Sequence, residues 1–441
     1  MSEAKTYKLY GIPWYYFALF SILVLVATFM GVLPAGMAGT FAIMIVIGTI
    51  LQEIGDKTPI LNSYLGGGAI AIIFGVGLLQ YLGFFPEYVV ENITSFFKPT
   101  GAFLDFYIAA LITRSILGMN RKLLVKAAAR YFPAIFGAII VSFAFAAIIG
   151  VVTGFGLVKT ILLIALPIMG GGMGAGAVPL SKIFESTGTM SAAEAISIMT
   201  PAVAIGNAIS IVLGGLVVKL LTSRSMNGHG QLISRGVDPK ELEISPEMQA
   251  KREKIDIKNL GIGLFVSVAF FAFGFIVAKV WNSLVPSVNI HAYAFMIITV
   301  AIFKIFNILP ESIEIACYQW FQFIMKNLTG VLLVGIGLCY LELNTVISTF
   351  SVTYLVLCLV TVAGAFLGAA LVGKFVGFYP VESGITAGLC MSNMGGTGDV
   401  AVLSAADRME LMPFAQISSR LGGAIILIIG SLLLSLLGGL L

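Results

Sequence analysis

Two stretches decide how this chain folds: Gly170-Gly171-Gly172-Met173-Gly174-Ala175-Gly176 and Gly395-Gly396-Thr397-Gly398-Asp399. Each sits near the middle of an apolar segment too long for a loop, Val158 to Glu185 and Tyr379 to Asp407. A continuous helix is disfavoured through so many glycines, since each costs about 1 kcal/mol relative to alanine. Two apolar arms around a flexible tip predict a hairpin. Non-helical backbone at membrane depth survives only where protein or a water-filled cavity satisfies it. The segments therefore predict two re-entrant hairpins, near 158–186 and 379–407, whose tips offer free N–H groups and helix N-termini to an anion. The alternative is that the glycines are packing faces between helices. Asn393, Thr397 and Asp399 count against it at the second tip, because they crowd polar atoms into an apolar stretch. Neither motif ends in Gly-Lys-Ser/Thr, which argues against a nucleotide phosphate loop.

Composition sets the surroundings. The 441 residues are 59% hydrophobic and 10% charged, against about 25% charged in soluble domains. Apolar runs approach the ~20 residues needed to cross a bilayer. The expected fold is an all-α polytopic membrane protein with about eleven transmembrane helices and two re-entrant hairpins. The candidate crossings are 12–32, 36–52, 66–83, 102–118, 131–151, 196–221, 258–281, 290–307, 326–343, 350–376 and 414–441. The first is read as a retained span, because no small-residue cleavage site follows it. Basic residues between Lys5 and Lys8, in the loop Arg121 to Arg130 and in the polar stretch from Ser223 are read as cytoplasmic. This puts the N-terminus inside and the C-terminus outside. The net charge of +4 is spread over loops, so no nucleic-acid partner is expected. The four cysteines show neither metal nor disulfide spacing. His229 and His291 form no catalytic constellation, so an enzyme is not expected.

The halves repeat. Offset by 224 residues, Gly171 to Gly174 falls on Gly395 to Gly398, Ala177-Val178 falls on Ala401-Val402, and four spans superpose. After the hairpins the offset is 212, matching Pro201 with Pro413 and Asn207 with Ser419. The repeats are separated by an odd number of crossings, so they are inverted, as in secondary transporters with a midplane site. The expected divisions are an N-terminal helix (1–35), a first repeat (36–222), a cytoplasmic linker (223–257) and a second repeat (258–441).

Arg420 opens the last span, with no charged residue after it. Holding a cation in the bilayer costs roughly 2.5–3.5 kcal/mol on insertion scales. A guanidinium can grip a carboxylate with two parallel hydrogen bonds, so a substrate-binding role is expected. The competing readings are an ion pair with Asp399 or Asp407 and a side chain snorkelling to the interface. Arg408 reads as a loop charge. Asp105, Lys304 and Glu382 are charges at or in the spans, with no partner evident from sequence.

Gly-Gly-Gly-x-Gly-Ala-Gly-Ala-Val-Pro-Leu-Ser at 170–181, Cys390 to Asp399 and Ser418-Ser419-Arg420-Leu421-Gly422-Gly423 together resemble the signatures of the bacterial 2-hydroxycarboxylate transporters. The resemblance runs from about Pro13 to the C-terminus. It implies a homodimer in the plasma membrane, with transport domains moving past a dimerisation domain and substrate held between the hairpin tips and the last span. By the same resemblance, Gly172, Met173, Gly174, Met394, Gly396, Thr397 and Arg420 are expected at the substrate. Cys390, Met391, Ser419, Asn207 and Asp399 are expected at a possible cation site.

Two departures bear on substrate and ion. Sodium–citrate symporters of the family have Asn at Met173 and Arg at Met394, whereas members from lactic-acid bacteria are similar to this chain in being apolar there. The resemblance therefore implies malate, citrate or lactate as substrate. It also implies proton-coupled symport or exchange, with sodium-coupled symport as the alternative and a passive anion channel as the rival class. No cofactor is expected beyond the coupling ion.

Overall fold

The computed structural model describes residues 7–59, 61–62, 67–97, 102–118, 128–223, 225–232, 250–252, 254–285 and 290–441. Most of the linker, the loop residues 119–127 and the Thr397 side chain lie outside this description. Apart from a two-residue antiparallel pairing of Lys8–Leu9 with Ile12–Pro13, the described chain is helical. Among the described residues, seven helices are long and apolar enough to cross a membrane: Met37–Lys57, Tyr131–Val152, Ala192–Leu220, Ile257–Leu284, Glu311–Cys339, Val352–Phe375 and Phe414–Leu440. Trp14–Phe29, Gly68–Tyr81, Leu157–Met169 and Ala292–Ile305 are shorter apolar helices.

One boundary and one helix depart most from the sequence expectation. The helix expected over 326–343 begins at Glu311, because the charges ahead of it are neutralised in place. The Lys304 ammonium donates to Glu314 at 2.6 Å, with both side chains nearly buried. Glu87–Phe97, absent from the candidate crossings, is a helix that buries one face through Val89, Ile93, Phe96 and Phe97.

The chain divides into two compact units, and the division cuts across the sequence repeats. One unit comprises Met1–Tyr107 and Ile324–Leu343. Its helices approach closely at glycines: a Cβ at Gly337 would stand 2.6 Å from the Ile73 carbonyl oxygen. Phe41, Phe96 and Phe103 form an aromatic cluster beside them.

The other unit comprises Ile108–Phe323 and Asn344–Leu441. At its centre, Ala128–Val152 lies along Val352–Phe375, two helices that the 224-residue offset makes equivalent. Gly137 meets Gly368 and Val372, while Ser142 meets Gly364 and donates to the Thr361 carbonyl at 2.9 Å. Later residues of one helix thus meet earlier residues of the other, so the pair is antiparallel. Glycine at these crossings lets backbones touch, the usual means of helix association where apolar burial gives no advantage over lipid.

Candidate functional site

Both glycine segments break their helices at the glycines. The first runs as helical turns over Leu157–Met169, turns at Gly170–Gly172, and resumes from Met173 to Ser186. The second runs from Pro380 to Leu389, turns, and resumes as Gly396–Ala405. Each second arm packs on the long helix that closes the other repeat: Val178–Ser186 on Gly423–Leu437, and Gly396–Ala405 on Ala192–Leu220.

The tips meet backbone to backbone. Gly171, Gly172 and Gly395 have φ of +79°, +103° and +69°, a region that side chains with a Cβ rarely enter. A Cβ at Gly172 would stand 2.7 Å from the Met394 carbonyl oxygen. At Gly171 it would stand 2.5 Å from that of Ser419. The helices leaving the tips start at Gly172 and Gly395 with no side-chain cap. Their first-turn N–H groups have no intrahelical acceptor and carry the positive end of the helix dipole.

Polar side chains brace the second tip. The Asn207 Oδ1, from helix Ala192–Leu220, accepts the Met394 N–H at 3.0 Å. The Asn393 Oδ1 accepts the Gly395 N–H at 2.7 Å, and its Nδ2 donates to Asp399 Oδ1 at 3.0 Å. Ser419 Oγ donates to Asp399 Oδ2 at 2.8 Å. The buried carboxylate thus ties the tip to the helical turn Ser418–Gly422, which carries Arg420. Arg420 lies within electrostatic reach of Asp399, yet among the described residues it has no carboxylate within ion-pair distance.

The structure therefore brings Gly172, Met173, Gly174, Met394, Gly396 and Arg420 into one unit, with the tips in contact. Of the residues expected at a cation site, Asn207, Asp399 and Ser419 share the tip's hydrogen bonds, and Met391 packs under Gly422. Cys390 is buried. Among the described residues no cluster of His, Cys, Asp or Glu could hold a metal ion.

Sequence reasoning missed a second set of contacts. Arg408, expected to be a loop charge, is buried and donates from Nε to Glu382 Oε1 at 3.3 Å and from Nη2 to Asn227 Oδ1 at 3.0 Å. Glu382 also accepts the N–H groups of Gly228, at 2.8 Å, and Gly230, at 3.3 Å. The start of the linker is thus fastened to the base of the second hairpin. Tyr131, likewise unexpected, makes a 2.8 Å hydrogen bond with Ser418, the neighbour of Ser419. Glu382 was visible as an isolated charge in Tyr-Pro-Val-Glu, but nothing local pointed to Arg408.

The sequence profile of the 2-hydroxycarboxylate transporter family matches residues 9–432. The malate transporter MleP of Lactococcus lactis is 39% identical, over 98% of this chain and 99% of its own. The citrate transporter CitP of Lactococcus lactis is 37% identical, over 97% of this chain and 94% of its own. A citrate/sodium symporter of Salmonella typhimurium is 36% identical, over 99% and 96%.

Proposed function

Because the chain belongs to the 2-hydroxycarboxylate transporter family, we propose that it carries malate, or citrate in a partly protonated form, by alternating access. The movement is coupled to protons or to exchange for lactate. The chain is a multi-pass plasma-membrane transporter and not an enzyme. The substrate lies against the uncapped helix starts at Gly172 and Gly395, with one carboxylate on Arg420.

The observation that carries this reading is an arginine on the turn next to the tips, Arg420, with no ion pair among the described residues, together with methionines at 173 and 394. At the tips, Arg420 and two helix ends offset about one carboxylate and favour the 2-hydroxyl. Fully ionised citrate, with one carboxylate more than malate, would leave more charge uncompensated in a site of low dielectric. Methionine at 173 supports protons or exchange over sodium, because it offers less polar ligand capacity than an asparagine would. The same unit holds all these residues, and we assign it the moving role in a homodimer, with Met1–Tyr107 and Ile324–Leu343 as the dimerisation part. The antiparallel pairing of Ala128–Val152 with Val352–Phe375 supports the inverted repeat. Sodium coupling is the second reading, favoured by the Salmonella relative and by the Cys390-Met391 and Ser419 segments.

Malate uptake into proteoliposomes tests the ion. The expected result is uptake driven by an inward proton gradient and unchanged when choline replaces sodium; strict dependence on sodium overturns it. Met394→Arg is expected to raise the citrate-to-malate uptake ratio roughly 10-fold, the effect of one added charge-assisted hydrogen bond of about 1.5 kcal/mol. An unchanged ratio would remove position 394 from the site.

A further inference from the structure

Arg420 is not alone. Arg114, near the end of helix Phe103–Leu117, and Arg252, just before helix Ile257–Leu284, both lie in the same unit. The Arg114 guanidinium stands 5.0 Å from the ring centres of both Tyr318 and Phe321, and that of Arg252 stands 5.0 Å from the Tyr318 ring. Two cations share one aromatic ring, and the charges of both act on Arg420.

Acidic partners for this cluster are committed elsewhere. Glu314 and Glu311 lie within electrostatic reach of Arg252, but Glu314 is paired with Lys304 at 2.6 Å and Glu311 with Lys251 at 3.4 Å. Among the described residues no carboxylate lies within ion-pair distance of Arg114 or Arg252. The Nε atoms of both are buried without a hydrogen-bond acceptor, although Arg252 is only 6% exposed. Arg252 has a local task, since its Nη1 donates to the Gly118 carbonyl at 3.0 Å at the end of Arg114's helix. That bond leaves its Nε free; Arg114 has a side-chain hydrogen bond with Tyr318, a neutral partner that leaves its charge uncompensated. Ring faces attract guanidinium groups but do not cancel the repulsion among three of them. A buried charge without a partner is costly. An anion with more than one carboxylate relieves both costs, because a planar guanidinium fork fits a carboxylate.

We propose that Arg114, with Arg252 behind it, is the locus for the second carboxylate of the transported anion, Arg420 taking the first. This rests on the transport reading above and names what separates a dicarboxylate from a monocarboxylate in a chain with methionine at 394. A monocarboxylate such as lactate needs Arg420 alone. Malate engages both loci and is therefore held more tightly than lactate, which leaves Arg114 uncompensated.

The test is uptake of labelled malate by the full chain in proteoliposomes, with unlabelled lactate as competitor. Arg114→Gln is expected to raise the malate KM at least 10-fold while the lactate inhibition constant stays within 2-fold. Arg252→Gln is expected to move malate in the same direction by about 3-fold, and Arg114→Lys to restore part of the malate affinity. Equal changes for malate and lactate, or none for either, would overturn the assignment. So would an inactive Arg114→Gln protein whose Lys counterpart recovers both anions equally, which marks a role in folding. A parent chain that carries no malate would instead defeat the transport reading, and is distinguished by needing no variant.

Discussion

Arg420→Lys is expected to reduce malate uptake by roughly 10- to 150-fold while leaving the amount of protein in the membrane unchanged. Lysine keeps the charge at the helical turn Ser418–Gly422, so long-range attraction of the anion survives. What disappears is the second of two parallel hydrogen bonds to one carboxylate. A hydrogen bond to a charged group is worth about 1.5–3 kcal/mol, which sets the range. Arg420 has no ion pair to lose among the described residues, so the change does not strand a buried carboxylate. Initial rates in proteoliposomes, normalised to reconstituted protein, decide the matter. Uptake near that of the parent would mean the guanidinium geometry has no part in binding.

Gly172→Ala is expected to abolish transport, with a fall of at least 10-fold, for a different reason. At φ +103° the added methyl strains the backbone, at a cost of order 1–3 kcal/mol. The methyl would also stand 2.7 Å from the Met394 carbonyl oxygen, a backbone atom that cannot rotate away. The tips must separate to admit it, which moves the helix start at Gly172 away from the one at Gly395. Gly154, which also has positive φ but has nothing near its missing Cβ, is the control: Gly154→Ala carries the strain without the collision. If both variants lose activity to the same degree, contact between the tips is not what matters.

The helix breaks at the two glycine segments were legible because glycine is itself a statement about backbone. Where two chains touch at their carbonyls, as at Gly171 and Ser419, no other residue fits, and the need shows in the local sequence. The antiparallel pairing of Ala128–Val152 with Val352–Phe375 was not legible: the offset places the two apolar segments in equivalent positions but does not say that they touch. Charge pairing was not legible. Glu382 and Arg408 stand 26 residues apart and meet only because the second hairpin folds back between them. Read singly, one looks like an intramembrane anomaly and the other like a loop charge. Glu311 and Glu314 misled in the same manner: an apolar window counts them as a break, while the folded chain neutralises Glu314 with Lys304 and continues the helix to Cys339. The cluster of Arg114, Arg252 and Tyr318 joins three distant segments, and no spacing within any one of them announces it.

Whether this chain moves 2-hydroxycarboxylates through a binding site or through an open pore is decided by counterflow. Purified protein is reconstituted into liposomes loaded with unlabelled malate and diluted into labelled malate, with no ion gradient imposed. A binding site gives rapid, saturable entry of label that overshoots equilibrium, requires malate inside and is competed by citrate and lactate. Entry that rises linearly with external malate, indifferent to what the liposomes contain, would contradict it.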